Sequence, residues 1–281
     1  MSDVSSGTLY LVATPIGNLS DISARALKTL QEVDFIAAED TRVTRKLLEH
    51  FGIKKQLVSY YQHNKRCSGE RILSRITAGE SCALVSDAGT PGISDPGEDL
   101  VRLCADTDIP MIIIPGPCAA VLALTLSGLP TERFAFEGFL STEKKKRLQQ
   151  LEELKTEKRT MVFYEAPHKL KRTLTDIHKV LGNRRISISR EMTKIYEETL
   201  RFTLSDAIEH FENKPPKGEF VLIVEGSLDS PTLEIGLDEA LLLVTALLED
   251  GFSTRDAIKK AADETGCSRN VLYKAVTERT S

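Results

Sequence analysis

The sequence predicts an α/β protein with two α/β domains and a small all-α C-terminal domain. Three observations predict it: apolar runs alternate with helical stretches over the first 120 residues, a second set of strands follows Pro130, and only helical patterns follow residue 232. The chain has 281 residues, of which 41% are hydrophobic and 28% are charged. This is the balance of a globular protein with about two compact units and an appendage.

Five strands are predicted in the first domain. Their apolar runs are continuous rather than alternating, which is typical of a mostly parallel sheet that is covered on both faces. The predicted strands lie at residues 9–13, 34–38, 57–60, 82–85 and 111–114. The helices between them are predicted at about 22–30, after a cap at Ser20 or Asp21, and at 41–50, 71–78 and 96–105.

The longest uncharged run lies between Asp108 and Glu132 and is long enough to raise the question of a membrane span. Pro110, Pro115 and Pro117 interrupt it, so a buried strand, a tight turn and a core helix from about Cys118 are predicted instead, with no membrane segment. The five cysteines are scattered without CxxC spacing. This argues against a zinc knuckle or a disulfide framework and favours a reducing cytoplasm.

The second domain is predicted to contain a mixed sheet, because two of its strands follow each other without a helix between them. The strands are predicted at residues 134–137, 160–164, 185–189, 197–202 and 219–224, and the helices at 143–156, 168–180 and 205–211. A linker at 226–232 precedes three predicted helices, at 238–249, 253–264 and 269–278. These are typical of a helix-turn-helix or of any small three-helix cap. The predicted domains are therefore 1–119, 120–227 and 233–281.

Charge is unevenly distributed along the chain. The net charge is −4, yet residues 141–190 carry 14 Lys and Arg against 6 Asp and Glu. A local basic field suits a polyanionic partner, and a solvated helix face explains it equally well.

Turns that follow the predicted strands carry the candidate chemistry. No phosphate loop, HExxH, GxSxG or GxGxxG motif is present. Residues 86–97, SDAGTPGISDPG, instead form a long constrained turn between a strand and a helix. Residues 14–18 and 114–120 form two further turns. Parallel sheets bind ligands at the carboxyl ends of their strands, so these turns predict a ligand site.

Ionisable side chains follow three of the predicted strands. Glu39 and Asp40 end one strand, Glu165 ends another, and Lys194 follows a third. Asp40 can equally cap the next helix, and a lone lysine is more often simply solvated. A functional site is favoured because clusters of ionisable residues follow strands of both predicted domains.

Seven motifs in order resemble those of one family, the class III, tetrapyrrole-methylase-like S-adenosylmethionine enzymes. They are TPIGNLSDIS, AEDTR, VSDAGTPGISDPG, IPGPCAA, FYEAPHKL, REMTK and KGEFVLIVEG. Within this superfamily the chain looks most like the bacterial branch that methylates a ribose 2′-hydroxyl in 16S ribosomal RNA, at the cytidine of standard position 1402. The first turn has Ile16 and Asn18 where tetrapyrrole relatives have proline and aspartate, which favours the rRNA branch.

The resemblance implies two α/β domains with S-adenosylmethionine in the cleft between them, a homodimer, and a helix-turn-helix-like tail. Carried over residue by residue, it implies a donor site formed by Pro15, Gly17, Asp87, Gly89, Thr90, Gly116, Cys118, Ala119, Tyr164, Met192, Gly218 and Glu219. No metal ligands are predicted, because no metal-ligand spacing is visible in the sequence.

A ribose hydroxyl needs a positioned base before it can attack. Asp40, Lys194, Glu39 and Glu165 are the candidates, with Asp40 or Lys194 favoured. The basic segment and the helical tail are expected to contact 16S rRNA in the small ribosomal subunit. Two alternatives remain open at this point: a small-molecule tetrapyrrole methyltransferase, and a DNA-binding regulator that senses a metabolite.

Overall fold

The computed structural model describes residues 4–61, 65–227, 237–265 and 269–279. The chain divides into two compact units, Met1–Ser227 and Leu228–Ser281. The larger unit contains two five-stranded sheets, and we call the parts built on them the first lobe and the second lobe. The predicted boundary at residue 119 stays a prediction. Most of the predicted linker at 226–232, and the turn at 266–268, lie outside the described residues.

The sheet of the first lobe is entirely parallel, as predicted. Its strands are arranged in the order β3-β2-β4-β1-β5. Every residue of β1, β2 and β4 is buried, because helices cover both faces of the sheet. The strands are β1 (Leu9–Val12), β2 (Phe35–Ala38), β3 (Gln56–Ser59), β4 (Cys82–Val85) and β5 (Met111–Ile114).

Four helices cover this sheet: α1 (Ala24–Glu32), α2 (Thr41–His50), α3 (Lys65–Thr77) and α4 (Gly97–Asp106). The cap predicted at Ser20 or Asp21 was wrong. These residues lie in a short 3-10 turn capped by Asn18, and α1 begins after Ser23, whose hydroxyl accepts from the Ala26 amide at 3.0 Å. Helix α3 begins six residues earlier than predicted, because its first turns carry no apolar stripe to mark them.

The second lobe contains the predicted mixed sheet, in the order β6-β7-β10-β8-β9. Strands β6 and β7 are parallel, and β10 is antiparallel to both β7 and β8. Strands β6, β7 and β8 therefore all end at the same edge of the sheet. The strands are β6 (Phe134–Phe139), β7 (Thr160–Glu165), β8 (Arg185–Arg190), β9 (Glu198–Thr203) and β10 (Phe220–Val224).

Helices cover both faces of the second sheet. One face packs against α6 (Lys144–Glu153), α7 (Leu170–Leu181) and α8 (Leu204–Asn213). The other face packs against α5 (Ala119–Ser127). The core helix predicted from about Cys118 is α5, and only one side of it is buried. Ala120, Ala123 and Leu124 are buried against the sheet, whereas Val121 and Leu126 on the opposite side are exposed.

The C-terminal unit contains α9 (Leu237–Glu249), α10 (Thr254–Thr265) and α11 (Arg269–Arg279). Its apolar core includes Val244, Leu247, Ile258 and Leu272. Within the part of the chain that the structure describes, no helix is long and apolar enough to cross a membrane.

A buried ion pair joins α6 to α7. The Arg147 guanidinium donates to the Asp176 carboxylate at 2.7 and 2.8 Å, and the side chains are only 5% and 12% exposed. Replacing Asp176 by Ala leaves a buried charge without its partner, and we expect the free energy of unfolding to fall by about 3–5 kcal/mol in chemical denaturation. The matched change Glu152→Ala, also on α6, removes the exposed partner of Lys155 and should cost at most about 1 kcal/mol. Equal losses in the two variants would contradict this.

Candidate active site

A cavity of about 520 Å³ lies where the C-terminal edges of the two sheets meet. Its volume is in the range of small-molecule sites, about 300–1,000 Å³. The first lobe contributes Ile16, Glu39, residues 86–90 and 93–95, Cys118 and Ala119, and the second lobe contributes Phe139, residues 164–167, Glu191, Met192, Lys194 and residues 219–221. Side chains of both lobes therefore surround one space.

Hydrogen bonds hold the three turns of the first lobe together. The backbones of Thr14 and Gly89 exchange two bonds, at 2.9 and 3.0 Å. The Thr90 hydroxyl donates to the Pro117 carbonyl at 3.0 Å. Gly89 has φ +86°, a conformation that side-chain-bearing residues rarely adopt. The three turns predicted separately from the sequence thus form one wall of the cavity.

The two lobes meet where residues 14–18, the first turn, contact residues 191–197, the β8 loop. The Asn18 amide donates to the Thr193 hydroxyl at 3.2 Å. Gly17 lies so close to Lys194 that a Cβ at Gly17 would overlap the lysine side chain. The Lys194 ammonium in turn donates to Glu191 and Glu219, each at 3.0 Å. One side of the cavity is therefore closed by direct contact.

Acidic groups line the opposite side of the cavity. Burial, together with the nearby charges of Asp87 and Asp95, raises the pKa of Glu39 above its ordinary value. The Asp87 carboxylate accepts from the Asp40 amide at 3.0 Å, which fixes its orientation. A carboxyl group with a raised pKa is a stronger base than an ordinary one once it is ionised.

Asp40 and Lys194 are both held in ion pairs. The Asp40 carboxylate accepts from the Arg42 side chain at 3.0 and 2.7 Å and from the Arg42 amide at 2.8 Å, which lowers the pKa of Asp40 to about 2. Burial acts to lower the pKa of Lys194, but Glu191 and Glu219 outweigh it and keep that pKa above the ordinary value. Neither group is suited to accept a proton at neutral pH.

Aromatic rings form the wall of the second lobe. Tyr164 packs on Phe136 and Phe139 with ring centroids 5.2 and 5.5 Å apart. Its hydroxyl accepts from the Ala120 amide at 3.2 Å, and burial raises the pKa of Tyr164 to about 12. The adjacent Glu165 is 4% exposed and accepts from the Thr173 hydroxyl at 2.5 Å and from the Ala166 amide at 2.8 Å.

The structure brings most of the candidate residues together. Eight of the implied donor residues line the cavity: Asp87, Gly89, Thr90, Cys118, Ala119, Tyr164, Met192 and Glu219. The other four do not line the cavity themselves: Pro15, Gly17 and Gly218 are each adjacent in the chain to a lining residue, and Gly116 is two residues from Cys118. Of the candidate bases, Glu39, Glu165 and Lys194 line it and Asp40 does not. The roles of these residues stay predictions.

Several lining residues were not among the sequence candidates. Ile16, Phe139, Glu191 and Val221 line the cavity. Glu191 lies in the same REMTK segment as Met192 and Lys194, so its position after β8 could have identified it. Phe139 lies just after the predicted strand at 134–137 and Val221 lies within the predicted strand at 219–224, and nothing in their local pattern marks them as part of a site.

The site chemistry suits a nucleoside-like cofactor. Carboxylates can accept from hydroxyl or ammonium groups, and Ile16, Ala119 and Val221 provide an apolar surface for a flat ring. Among the described residues there is no group of three or more His, Cys, Asp or Glu that could hold a metal ion. A cavity at the carboxyl edge of a parallel sheet, closed by a second lobe, is typical of enzymes that bind a nucleoside-like cofactor.

Comparison with known proteins agrees with this class. The model of the tetrapyrrole (corrin/porphyrin) methylases matches residues 8–208. A protein of Halalkalibacterium halodurans named ribosomal RNA small subunit methyltransferase I is 52% identical, over 95% of this chain and 93% of that relative. Its namesake from Escherichia coli O157:H7 is 44% identical, over 99% and 97%. The chain belongs to the tetrapyrrole methylase family.

Solved structures share the fold at low sequence identity. Diphthine synthase has a TM-score of 0.59 at 14% identity and covers 79% of this chain and 91% of its own. Uroporphyrin-III-C-methyltransferase from Thermus thermophilus has a TM-score of 0.55 at 18% identity, covering 77% and 94%. The family and fold that the motifs implied are thus confirmed, and the protein is a methyltransferase whose methyl donor is S-adenosylmethionine.

The raised pKa of Glu39 predicts a pH-dependent cost to stability. A carboxyl group whose pKa is higher in the folded state stabilises the fold below its unfolded pKa, and this contribution is lost as the pH rises through the folded pKa. We therefore expect Glu39→Gln to be more stable than the wild type at pH 7 and to lose this advantage as the pH falls to about 4. Thermal unfolding across this pH range measures it.

The control for this experiment is Glu49→Gln, which changes an exposed acid on the neighbouring helix α2. In this variant the difference in thermal stability between pH 7 and pH 4 should be the same as in the wild type. A Glu39→Gln protein that is less stable than the wild type at pH 7 would contradict the assignment of a strained carboxylate at this position.

Proposed function

We propose that the protein transfers the methyl group of S-adenosylmethionine to the ribose 2′-hydroxyl of the cytidine at standard position 1402 in 16S rRNA of the small ribosomal subunit. The observation that carries this proposal is the sequence identity of this chain, 44–52%, to proteins named ribosomal RNA small subunit methyltransferase I. The similarity extends over nearly the full length of this chain and of each relative. The motifs of the first turn support the same branch of the family.

The cavity residues can hold the donor between the two lobes. We expect Asp87 to accept from the ammonium or ribose hydroxyl groups of the donor, and Ala119 and Val221, which also line the cavity, to contact its adenine. When bound, S-adenosylmethionine supplies a methyl carbon activated by a sulfonium. The protein's main task is then to align the attacking oxygen with that carbon at about 3–3.5 Å.

Glu39 is the candidate base that the geometry favours. It lines the cavity and its pKa is raised, so it retains the ability to accept a proton. Asp40 and Lys194, the two favoured from the sequence, are occupied by ion pairs that fix them in their charged forms. Glu165 uses its oxygens to accept from Thr173 and Ala166.

Exposed cations beside the cavity fit an RNA backbone. Lys144 and Lys145 begin α6, and Lys171 and Arg172 lie in the first turn of α7. We call these four residues the basic rim. Because β6 and β7 end at the cavity, the helices that follow them begin beside its mouth. Cations in a first helical turn oppose the helix dipole, so helix stability does not explain them, whereas phosphate binding does.

The C-terminal helices are proposed as a second RNA contact. Their cations are Arg255, Lys259, Lys260, Arg269 and Lys274. Such a unit would recognise the shape and backbone of folded RNA rather than a DNA groove. The division into domains at 1–119, 120–227 and 233–281 belongs to the same proposal.

We also propose that the protein is a homodimer of the cytoplasm. Ile112 and Ile113 on the edge strand β5 are 41% and 52% exposed, and Val121 and Leu126 on α5 are 50% and 42% exposed. Monomers rarely leave a large apolar patch uncovered, so a second copy is the proposed cover. Cytoplasmic action follows from a ribosomal substrate.

Two other functions receive less support. A tetrapyrrole substrate would fit the family name, but the solved tetrapyrrole enzymes are similar only at the level of the fold. A metabolite-sensing DNA-binding regulator would need no methyl transfer, whereas the full-length relatives are named methyltransferases.

The test is methyl transfer by the purified protein to small ribosomal subunits from cells that lack the modification. With labelled S-adenosylmethionine we expect one 2′-O-methylcytidine in 16S rRNA, located by mass mapping. Glu39→Gln should lower the single-turnover rate by about 100-fold or more, as expected for loss of a general base, with unchanged affinity for the donor.

Glu49→Gln is the matched control and should retain the wild-type rate. An unchanged rate in Glu39→Gln would overturn the assignment of the base and leave the substrate proposal standing. Methylation of uroporphyrinogen without methylation of rRNA, or donor binding with no transfer to any RNA, would overturn the proposed function itself.

A further inference from the structure

The β8 loop presents two unusually bare apolar side chains beside the cavity. Ile195 is 94% exposed and Tyr196 is 72% exposed, the highest values for large apolar residues among those that the structure describes. They directly follow Lys194, which lines the cavity. We call this pair the apolar tip. Because isolated exposed apolar residues are common, the argument for function must come from the surroundings of the tip.

The loop that carries the tip is firmly held. The Thr193 amide donates to the Glu197 carboxylate at 3.0 Å, and the Glu197 amide donates to the Lys194 carbonyl at 3.1 Å. Glu191 and Thr193 adopt left-handed backbone conformations, with φ 49° and 66°. Strained residues of this kind persist where the surrounding structure enforces them, and they cluster at functional sites. The tip is therefore a fixed projection.

The sheet topology places the apolar tip and the basic rim on two sides of the cavity. The rim follows β6 and β7, and the tip follows β8, which is separated from β7 by β10. Neighbouring strands lie about 4.8 Å apart, so the ends of β6 and β7 are about 10–15 Å from the end of β8 along this edge. The cavity opens between them, since it is lined by residues from the ends of β6, β7 and β8.

The charges around these two features differ in sign. The side chains of Lys144, Lys145 and Arg172 make no hydrogen bond or ion pair with the described residues and attract phosphate. Beside the tip, Lys194 is paired with Glu191 and Glu219, and Glu197 accepts from the Thr193 amide. These three carboxylates outnumber the one ammonium, so this side of the cavity does not attract phosphate. An exposed ring next to carboxylates suits the uncharged face of a nucleobase. A cationic track beside an aromatic ring is the arrangement by which proteins bind single-stranded nucleic acid.

We propose that Tyr196 stacks on the nucleobase next to the target nucleotide, supported by Ile195, while the basic rim holds the phosphates on the other side of the cavity. This inference rests on the proposed rRNA substrate and extends it. A ribose inside folded RNA reaches an enclosed site only if its nucleotide leaves the stack. The apolar tip gives the neighbouring base a new stacking partner and so stabilises the RNA in the conformation in which the target nucleotide has left the stack.

The first test compares Tyr196→Ala with Tyr196→Phe on small ribosomal subunits. Loss of one stacked base should lower kcat/KM for the RNA by about 5- to 150-fold in Tyr196→Ala. Tyr196→Phe keeps the ring and should stay within about twofold of the wild type. The affinity for S-adenosylmethionine and the melting temperature should not change in either variant. The control is Phe134→Ala, which changes an exposed ring at the opposite end of β6.

The second test uses the absence of tryptophan from this chain. In Tyr196→Trp the new indole is the only one, and its fluorescence should be quenched when a 16S rRNA fragment containing the target site binds. Phe134→Trp carries its indole far from the cavity and should not respond.

Three results would overturn this inference and leave the proposed function standing. They are an unchanged kcat/KM in Tyr196→Ala, an indole at position 196 whose fluorescence RNA does not quench, and a Tyr196→Ala protein that becomes monomeric in light scattering. The last would assign the tip to a contact between two copies. A wild-type protein that leaves rRNA unmethylated would overturn the proposed function, and this inference with it.

Discussion

The close approach of Gly17 to Lys194 is the constraint on which the site depends. Only a residue without a Cβ leaves room for the lysine side chain at this distance, and Thr193 accepts a hydrogen bond from the next amide in the turn. Lys194 then connects this contact to Glu191 and Glu219 of the second lobe. Two separate sheets thereby share one cavity, and the ends of their strands become one functional surface.

The distribution of charge assigns different tasks to different parts of this surface. Carboxylates lie inside the cavity, where we propose that Asp87 binds the cationic donor and that Glu39 accepts the proton of the attacking hydroxyl. Cations lie outside it on the basic rim, where a polyanion can approach without entering. Such separation keeps the acidic groups from repelling the RNA at its point of contact. It also explains how an acidic protein, with net charge −4, can act on a nucleic acid.

The sequence predicted the lobes well because their strands are short, continuous apolar runs that only a covered sheet can bury. Residues 86–97 were recognisable as a candidate ligand turn from their own glycines, prolines and aspartates, and most of them line the cavity. Side-chain pairing was not recognisable: Arg42 lies two residues from Asp40, yet the sequence does not show that the two side chains form an ion pair. The contact of Gly17 with Lys194 joins positions 177 residues apart, and no local pattern records it. The exposure of one side of α5 was not predicted, because all residues of this helix are apolar or small and no polar stripe marks the exposed side.

Calorimetric titration of Gly17→Ala with S-adenosylmethionine tests most directly whether contact between the lobes builds the donor site. The wild type should bind one donor per chain. The added methyl group must displace Lys194, so the affinity of Gly17→Ala should fall by about tenfold or more, while Ser20→Ala, in the same segment, binds normally. Equal affinity in Gly17→Ala and the wild type, or no uptake of the donor by the wild type, would contradict a site that depends on this contact.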